Sequence, residues 1–345
     1  MALDALAAVA ARWADPDYEP RAEAVEATLS ENPEYTFAAV TFAVNQTMNV
    51  LTPDALRAWQ AGRRTATPRT VGVLHAGNIP MGEVQDFAAV LLAGHRYRGV
   101  VSSRSAHLLP AFARDVQAEA PGLDVAFTDF ESLFAEAEAI LATGSDETRN
   151  LVAARCESAG IPADRCRLRG HRYSAAVLDG RENAAERERL AEDVLLHEGR
   201  GCRNVAVVWA PRGLAPDPYL EALAQGRAVF PPSPVTVTRL KMPRAFLRAT
   251  KQPHAELDDG SLVLSRGTPE PQVPGHLRWV EYDALEEARA WLEAQADALQ
   301  LVAAAPRLHA RLQGCVPVVA LGETQRPPLD WQPDGVDTFA WLAGL

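Results

Sequence analysis

The stretch Thr70-Val71-Gly72-Val73-Leu74-His75-Ala76-Gly77-Asn78-Ile79-Pro80 decides how this chain is read. A short apolar run able to line a buried strand ends in a turn built on Gly77 and Pro80, and through Val84, Phe87, Val90 and Leu91 to Gly94 the apolar spacing becomes helical. The same strand-turn-helix unit recurs downstream. Gly99-Val100-Val101 predicts a strand and residues 108–118 a helix, while Val125-Ala126-Phe127 and Ala139-Ile140-Leu141-Ala142 predict two more strands, the last running into Thr143-Gly144-Ser145. Strands alternating with helices imply an α/β fold with a parallel sheet covered by helices.

Upstream, residues 1–64 read as a helical lead-in punctuated by Asn32-Pro33 and Thr52-Pro53-Asp54. Downstream, a strand at Ala175-Ala176-Val177-Leu178 stops at Asp179-Gly180, and a charged helix over residues 182–196 delivers the chain to Gly199-Arg200-Gly201-Cys202. A buried strand follows over residues 204–211. Residues 211–280 are proline-rich and alternate strand fragments, at 235–240 and 262–265, with short helices, which predicts a second, smaller α/β layer. A helix over 284–296, a strand over 299–303, a bend at Arg326-Pro327-Pro328 and a last helix opened by Asp334-Gly335-Val336-Asp337 complete the chain. The expected organisation is a helical region at 1–64, a parallel-sheet domain at 65–175, to which the resemblance named below assigns cofactor binding, and a smaller domain at 176–345 that carries the cysteine and the C-terminal tail.

The composition bounds the function. With 345 residues, 48% hydrophobic and 23% charged, the chain has enough apolar content for a substantial core. A net charge of -11 disfavours nucleic acid or anionic lipid as the main partner and favours small-molecule chemistry. Cys156, Cys166, Cys202 and Cys315 show no CxxC spacing, and no H-E-x-x-H occurs, so neither a metal site nor a disulfide framework is expected and a reducing, cytoplasmic location is. Leu3, Leu6, Val9 and Trp13 have amphipathic-helix spacing without the basic segment of a signal peptide, and the longest uncharged run, 35–53, is broken by Thr, Asn and Gln, so no membrane span is expected.

Cys202 is the strongest chemical candidate, because flanking glycines leave a thiol and the neighbouring amides open to a substrate. The alternative is a small apolar residue in a helix-to-strand connection. Arg200 and Arg203 would lower the thiol pKa, meet anionic phosphates, or be solvated. Asn78, after a strand end, has a carboxamide able to donate to an oxyanion, or it is simply a turn residue. Thr143-Gly144-Ser145 and Ser102-Ser103 sit where backbone N–H groups meet a cofactor, or where serines cap helices. No GxGxxG fingerprint accompanies them. His75 is close to the Asn78 turn, His95 and His107 are read as capping groups, and the mixed charges of residues 181–189 are read as an exposed helix face.

In chain order, His75-Ala76-Gly77-Asn78-Ile79-Pro80, Ser102-Ser103 with His107-Leu108-Leu109-Pro110, Ala142-Thr143-Gly144-Ser145, residues 174–180, Gly199 to Val205, Thr324-Gln325 and Asp334-Gly335-Val336-Asp337 resemble the aldehyde dehydrogenase superfamily. The resemblance is to its acyl-CoA reductase branch, similar to the reductase subunit that supplies fatty aldehyde to bacterial luciferase. It implies an aldehyde-dehydrogenase-like fold with Cys202 as the nucleophile that accepts an acyl group as a thioester. Asn78 and the Cys202 amide would form the oxyanion hole, the nicotinamide would approach Thr143, Gly144 and Ser145, and Ser102 and Ser103 would stand beside the adenosine half. The implied cofactor is NADPH, with NADH the alternative, and the implied substrate a fatty acyl-CoA or acyl-protein thioester.

Two departures refine the expectation. The glutamate that the superfamily uses to deacylate its cysteine would fall near Arg169-Gly170-His171-Arg172, where none occurs, and no Glu-x-Phe-Gly-Pro follows; a chain that reduces its thioester needs no water-activating base. The lysine normally preceding the Ser-Ser turn is Val100, which removes a cation from beside the cofactor. Other readings are a cysteine acyltransferase or thioesterase without nicotinamide binding, and a non-catalytic subunit of a reductase complex; a homo-oligomer or an acyl-transferring partner protein is the expected assembly.

Overall fold

The structure is a computed structural model that describes residues 1–65, 67–314 and 316–345; Cys315 lies outside the described residues. The chain forms two compact units, one of residues Met1–Asn32, Val40–His171 and Pro328–Leu345, the other of Pro33–Ala39 and Arg172–Pro327. The division is therefore not linear along the chain. The helical N-terminal residues and the C-terminal tail both join the unit that holds the first sheet, whereas the linear reading set the N-terminal residues apart and gave the tail to the cysteine-bearing domain.

In the first unit, helices α1 (Ala2–Trp13), α2 (Glu19–Glu31), α3 (Phe37–Val50, whose first three residues count with the other unit) and α4 (Pro53–Gln60) lead into strand β1 (Thr70–Leu74). Then follow α5 (Val84–Ala93), β2 (Arg96–Val100), α6 (Leu108–Glu119), β3 (Val125–Phe127), α7 (Phe130–Glu136), β4 (Ala139–Thr143), α8 (Asp146–Ser158) and β5 (Cys166–Arg169). The five strands pair in parallel in the order β3-β2-β1-β4-β5. In such a sheet the chain reverses direction of winding at β1/β4, and the turns after β1, β2 and β4 gather at one edge. Alternation sends side chains to two faces. On one face Leu133 and Phe134 of α7 and Val152 and Cys156 of α8 pack on Ile140 and Ala142. Away from this cluster stand buried aromatic rings, Trp13 against Phe112 at 5.4 Å and Phe87 against Tyr97 at 5.0 Å, both edge-to-face.

The second unit contains β6 (Tyr173–Val177), α9 (Ala184–Leu195), β7 (Val205–Pro211), α10 (Asp217–Val229), α11 (Pro234–Arg239), α12 (Lys241–Ala249), β8 (His254–Glu256), β9 (Val263–Arg266), β10 (His276–Tyr282), α13 (Leu285–Ala294), β11 (Leu299–Ala304), α14 (Pro306–Leu312) and β12 (Val318–Val319). Its sheet has seven strands, in the order β12-β11-β6-β7-β10-β9-β8, and only the β8/β9 pair is antiparallel. The expected smaller layer thus carries the wider sheet. Helices α9 and α10 cover one face through Leu190, Val194, Tyr219 and Leu223, and α13 and α14 the other through Leu285, Leu292 and Leu308. The last helix, α15 (Thr338–Ala343), is capped by Asp337 and belongs to the first unit.

Two local expectations are corrected. Of the strand expected at 235–240, residues 235–239 are helical and Leu240 is their C-cap: the β-branched run Val235-Thr236-Val237-Thr238 reads as a strand, but Ser233 caps the Thr236 amide and Pro234 occupies the first helical position. The charged run 181–189 is not wholly an exposed face. Glu182 is buried and accepts from the amides of Asp179 and Gly180 and from the Tyr219 hydroxyl. No helix among the described residues is long and apolar enough to cross a membrane.

A buried ion pair ties α5 to the end of β5. Arg169 donates Nη1 to both Asp86 oxygens, at 3.0 and 2.8 Å, and Nη2 to Thr338 Oγ1 at 2.6 Å. Both side chains are about nine-tenths covered, so neither charge has water to fall back on. Asp86→Ala should cost about 3–5 kcal/mol in urea unfolding by stranding the guanidinium, and Asp86→Ala combined with Arg169→Met should recover most of that loss.

Candidate active site

Cys202 lies on the turn between α9 and β7, and the turn is held from several sides. His197, Glu198 and Gly199 adopt left-handed φ values of 53°, 58° and 71° in succession, which the two non-glycine residues adopt only under constraint. At Gly199 an added Cβ would also stand 3.2 Å from the Gly275 amide nitrogen. The constraint is visible. Asn204, buried, donates Nδ2 to the Leu196 carbonyl at 2.7 Å and to the Asp193 carbonyl at 3.0 Å, and its Oδ1 accepts the Gly201 N–H at 2.8 Å. Helix end, left-handed turn and strand start therefore share one carboxamide. The Cys202 carbonyl accepts from Ser174 Oγ at 2.9 Å, which fastens the turn to β6.

The thiol remains half-buried. Its two flanking arginines have different fates. Arg200 is tied to Glu34 at 2.8 Å and stacked over the Tyr35 ring at 5.0 Å, so it is a structural cation. Arg203 donates Nε to the Thr324 carbonyl at 3.0 Å; burial weakens its charge and the adjoining Cys202 sulfur sustains it. The amides of the turn are only partly available, because the Gly201 N–H is spent on Asn204. By contrast Cys156 and Cys166 are inert thiols, both raised by burial, Cys156 to about 12.

Behind Arg203 stands Asp193, fully buried on α9. It accepts from the Gly322 amide at 2.7 Å, the Thr324 amide at 3.2 Å and Thr324 Oγ1 at 2.7 Å. Burial pushes its carboxyl up to about 7, against those donors. Thr324 thus joins Asp193 to Arg203, which explains the buried Thr324-Gln325 pair. Asn204, Asp193 and Thr324 were not singled out for this role in the sequence; an Asn two residues past a cysteine in a glycine-rich turn is the signal that marks the first of them.

In the first unit the turns after β1, β2 and β4 come together. Asn78 is half-buried on the β1 turn, and Ser102, Ser103 and the trio Thr143, Gly144 and Ser145 end β2 and β4. Gly77 is needed there: an added Cβ would fall 2.4 Å from Ser102 Oγ and 3.2 Å from Arg104 Cβ. The serines cap helices as the plainer expectation had it, Ser102 Oγ accepting the Arg104 amide at 3.3 Å and Ser145 Oγ the Thr148 amide at 3.2 Å. Thr143 Oγ1 lies 3.5 Å from Arg169. Val100 packs its side chain into the cluster under α7 and α8 and brings no charge.

Two residues missed in the sequence complete this edge. Arg104 is exposed on the turn begun by Ser102 and makes no ion pair among the described residues. On α8 the stripe of Thr148, Leu151 and Arg155 faces α7, since Arg155 reaches Glu131 at 2.7 Å, and Leu151 is left half-exposed on it. A strand edge, a capped helix start and an apolar side chain beside them suit a dinucleotide. A cavity of about 650 Å³ lies on the opposite flank of α8, against Leu168 and Val336, away from that stripe.

Beneath the Asn78 turn the polar groups are buried. His75 Nε2 meets the Tyr97 hydroxyl at 2.6 Å, and burial lowers the imidazole to about 4. His95, bonded to the Leu342 carbonyl and the Arg69 amide, and His107, on Glu31, are structural. Glu83 has neither carboxylate oxygen within hydrogen-bond geometry of a partner; burial raises it from 4.5 to about 7, with Ser105 opposing and Asp86 adding to the shift.

No family model matches the chain, and no curated protein resembles it in sequence. Solved structures do resemble it. An NAD-dependent benzaldehyde dehydrogenase from Corynebacterium glutamicum superposes with a TM-score of 0.70 at 14% identity, covering 99% of this chain and 83% of the other. A lactaldehyde dehydrogenase gives 0.66 at 14%, covering 92% and 77%. An NADP-dependent enzyme from E. coli gives 0.70 at 11%, covering 93% and 77%. The chain has the aldehyde dehydrogenase fold.

Two outcomes test the site's electrostatics and packing. Folded Glu83 keeps its proton up to about pH 7 while the unfolded chain releases it near 4.5, so the wild type should lose stability relative to Glu83→Gln as pH rises between those values, by up to about 3 kcal/mol, read from paired chemical-denaturation curves. Asn204→Ala should cost about 2–3 kcal/mol and loosen the cysteine turn, seen as faster Cys202 alkylation by iodoacetamide below the unfolding transition.

Proposed function

We propose that the protein is a nicotinamide-dependent oxidoreductase at the aldehyde level that reduces an acyl thioester, an acyl-CoA or an acyl-protein, to the aldehyde through a covalent acyl group on Cys202. The observation that carries this reading is a half-exposed cysteine on a clamped turn of an aldehyde dehydrogenase fold. Covalent capture divides a difficult reduction into two easier steps.

Cys202, as the thiolate, attacks the substrate carbonyl; the carbonyl pair moves to oxygen and then returns to expel the leaving thiolate. Asn78 is assigned the N–H donor to the oxyanion, with the Cys202 amide as the second. One such donor is worth roughly 3–4 kcal/mol of barrier. A bound nicotinamide supplies the hydride that takes the acyl group to the aldehyde level. Thr143, Gly144, Ser145, Ser102 and Ser103, at the ends of their strands, are the residues that would hold it, and Leu151 and Arg104 would add an apolar contact and a cation that Val100 does not supply. Loss of the Cys202 sulfur from the resulting hemithioacetal frees the aldehyde and restores the thiolate. No glutamate occupies 169–172 to activate water, and Glu198 is bound to Arg227 at 3.1 Å, which favours reduction over hydrolysis. Fatty acyl chains, NADPH over NADH, a cytoplasmic site of action and a homo-oligomer or acyl-transferring partner belong to the same reading.

Val100 supports a second reading, a cysteine acyltransferase or thioesterase that binds no nicotinamide. Titration with NADPH and NADH, followed by nicotinamide fluorescence, separates the two: saturable binding that weakens for NADPH more than for NADH in Arg104→Ala supports the reductase, and no binding of either supports the alternative. Long-chain acyl-CoA should label Cys202, as seen by intact mass, and NADPH should then release aldehyde. Full turnover in Cys202→Ser rules the covalent route out, and Asn78→Ala should lower kcat by about 100-fold or more with the label still forming slowly.

A further inference from the structure

Helix α12 turns an apolar stripe outward. Met242, Ala245, Phe246 and Ala249 stand at i, i+3, i+4 and i+7 and all four are exposed, Met242 at 77% and Phe246 at 56%. Its inner side is occupied by Leu247, which buries with Leu240 and Val263. Along the chain the stripe lies in a segment whose charges are all positive, and the acids that meet it come from the next segment, Glu256 with Asp258 and Asp259 at the following turn. In a chain of net charge -11, no acidic residue occurs between Glu221 and Glu256, and the only two lysines, Lys241 and Lys251, bracket the helix. Both are exposed, and neither ammonium group makes a hydrogen bond or ion pair among the described residues. Arg244 and Arg248 converge on Glu256, Arg248 remaining largely exposed, so this one carboxylate meets two guanidinium groups.

Exposed Phe and Met on one face with cations along its border are what an interfacial helix presents to a lipid surface: rings and thioethers enter the boundary of headgroups and acyl chains while lysines reach phosphates. A protein partner fits less well. Stable interfaces bury about 600 Å² or more on each side, and a helix of nine residues with two large apolar side chains offers little of that. The exposed Lys241 and Lys251, with two guanidinium groups set against the single Glu256 carboxylate, leave this helix positive in a chain that is otherwise acidic, which suits an anionic headgroup layer.

We propose that α12 docks this protein on anionic bilayer surfaces, with Met242 and Phe246 inserted and Lys241, Arg248 and Lys251 facing lipid phosphates. This holds whatever Cys202 does. The test is co-sedimentation of the full chain with vesicles of phosphatidylcholine alone and of phosphatidylcholine mixed with phosphatidylglycerol. Binding is expected to the mixed vesicles and to fall as salt is added. Lys241→Gln and Lys251→Gln should each reduce partitioning about fivefold. Met242→Ser with Phe246→Ser should abolish it, with thermal unfolding unchanged because both side chains are exposed. Absence of binding to the mixed vesicles, or binding that survives these substitutions, overturns the proposal and leaves the stripe to an acidic protein partner.

Discussion

The buried carboxamide of Asn204 is the constraint on which the cysteine turn depends. A helix leaves carbonyls without partners at its end, and a left-handed turn leaves amides pointing in uncommon directions. Asn204 meets both needs at once, taking the Asp193 and Leu196 carbonyls with its amide nitrogen and the Gly201 N–H with its oxygen. Because these bonds lie in the interior, each unmade one would cost its full desolvation, so the turn has one conformation and not several. The sulfur of Cys202 inherits that order. Ser174 and the Asp193–Thr324–Arg203 series extend it to β6 and to the segment before the C-terminal tail.

The first unit solves a different problem. Its strands all run the same way, so their turns collect at one edge and have to approach closely without side chains in the way. Gly77 lies against Ser102, and the polar groups under these turns pair among themselves: His75 with Tyr97, Asp86 with Arg169. Glu83 is the exception, a carboxyl kept from water with no donor in bonding geometry, and it is held nearer neutrality by that burial. Such groups beneath a turn that carries Asn78 are consistent with a segment shaped by more than packing.

The sequence by itself determined the alternation of strands and helices, the glycine-bounded cysteine and the turns after β1, β2 and β4, because period, breaker residues and capping serines are local signals that act over a few residues. Even the roles of Ser102 and Ser145 as caps were visible there. Only the tertiary structure decided which charges go inside. Glu182 sits in a run that reads as solvated and Asp193 in the charged helix beyond it, yet donors from distant segments bury them, and Arg200 is drawn from the cysteine to Glu34, far away in the chain. It also decided that Val235 to Thr238 coil and do not extend, and that the C-terminal tail joins the first sheet's unit, where Thr338 meets Arg169. Hydrophobic period reports what a segment prefers alone; the partner of a buried polar group is chosen by residues remote in sequence, and that choice exists only once the chain has folded.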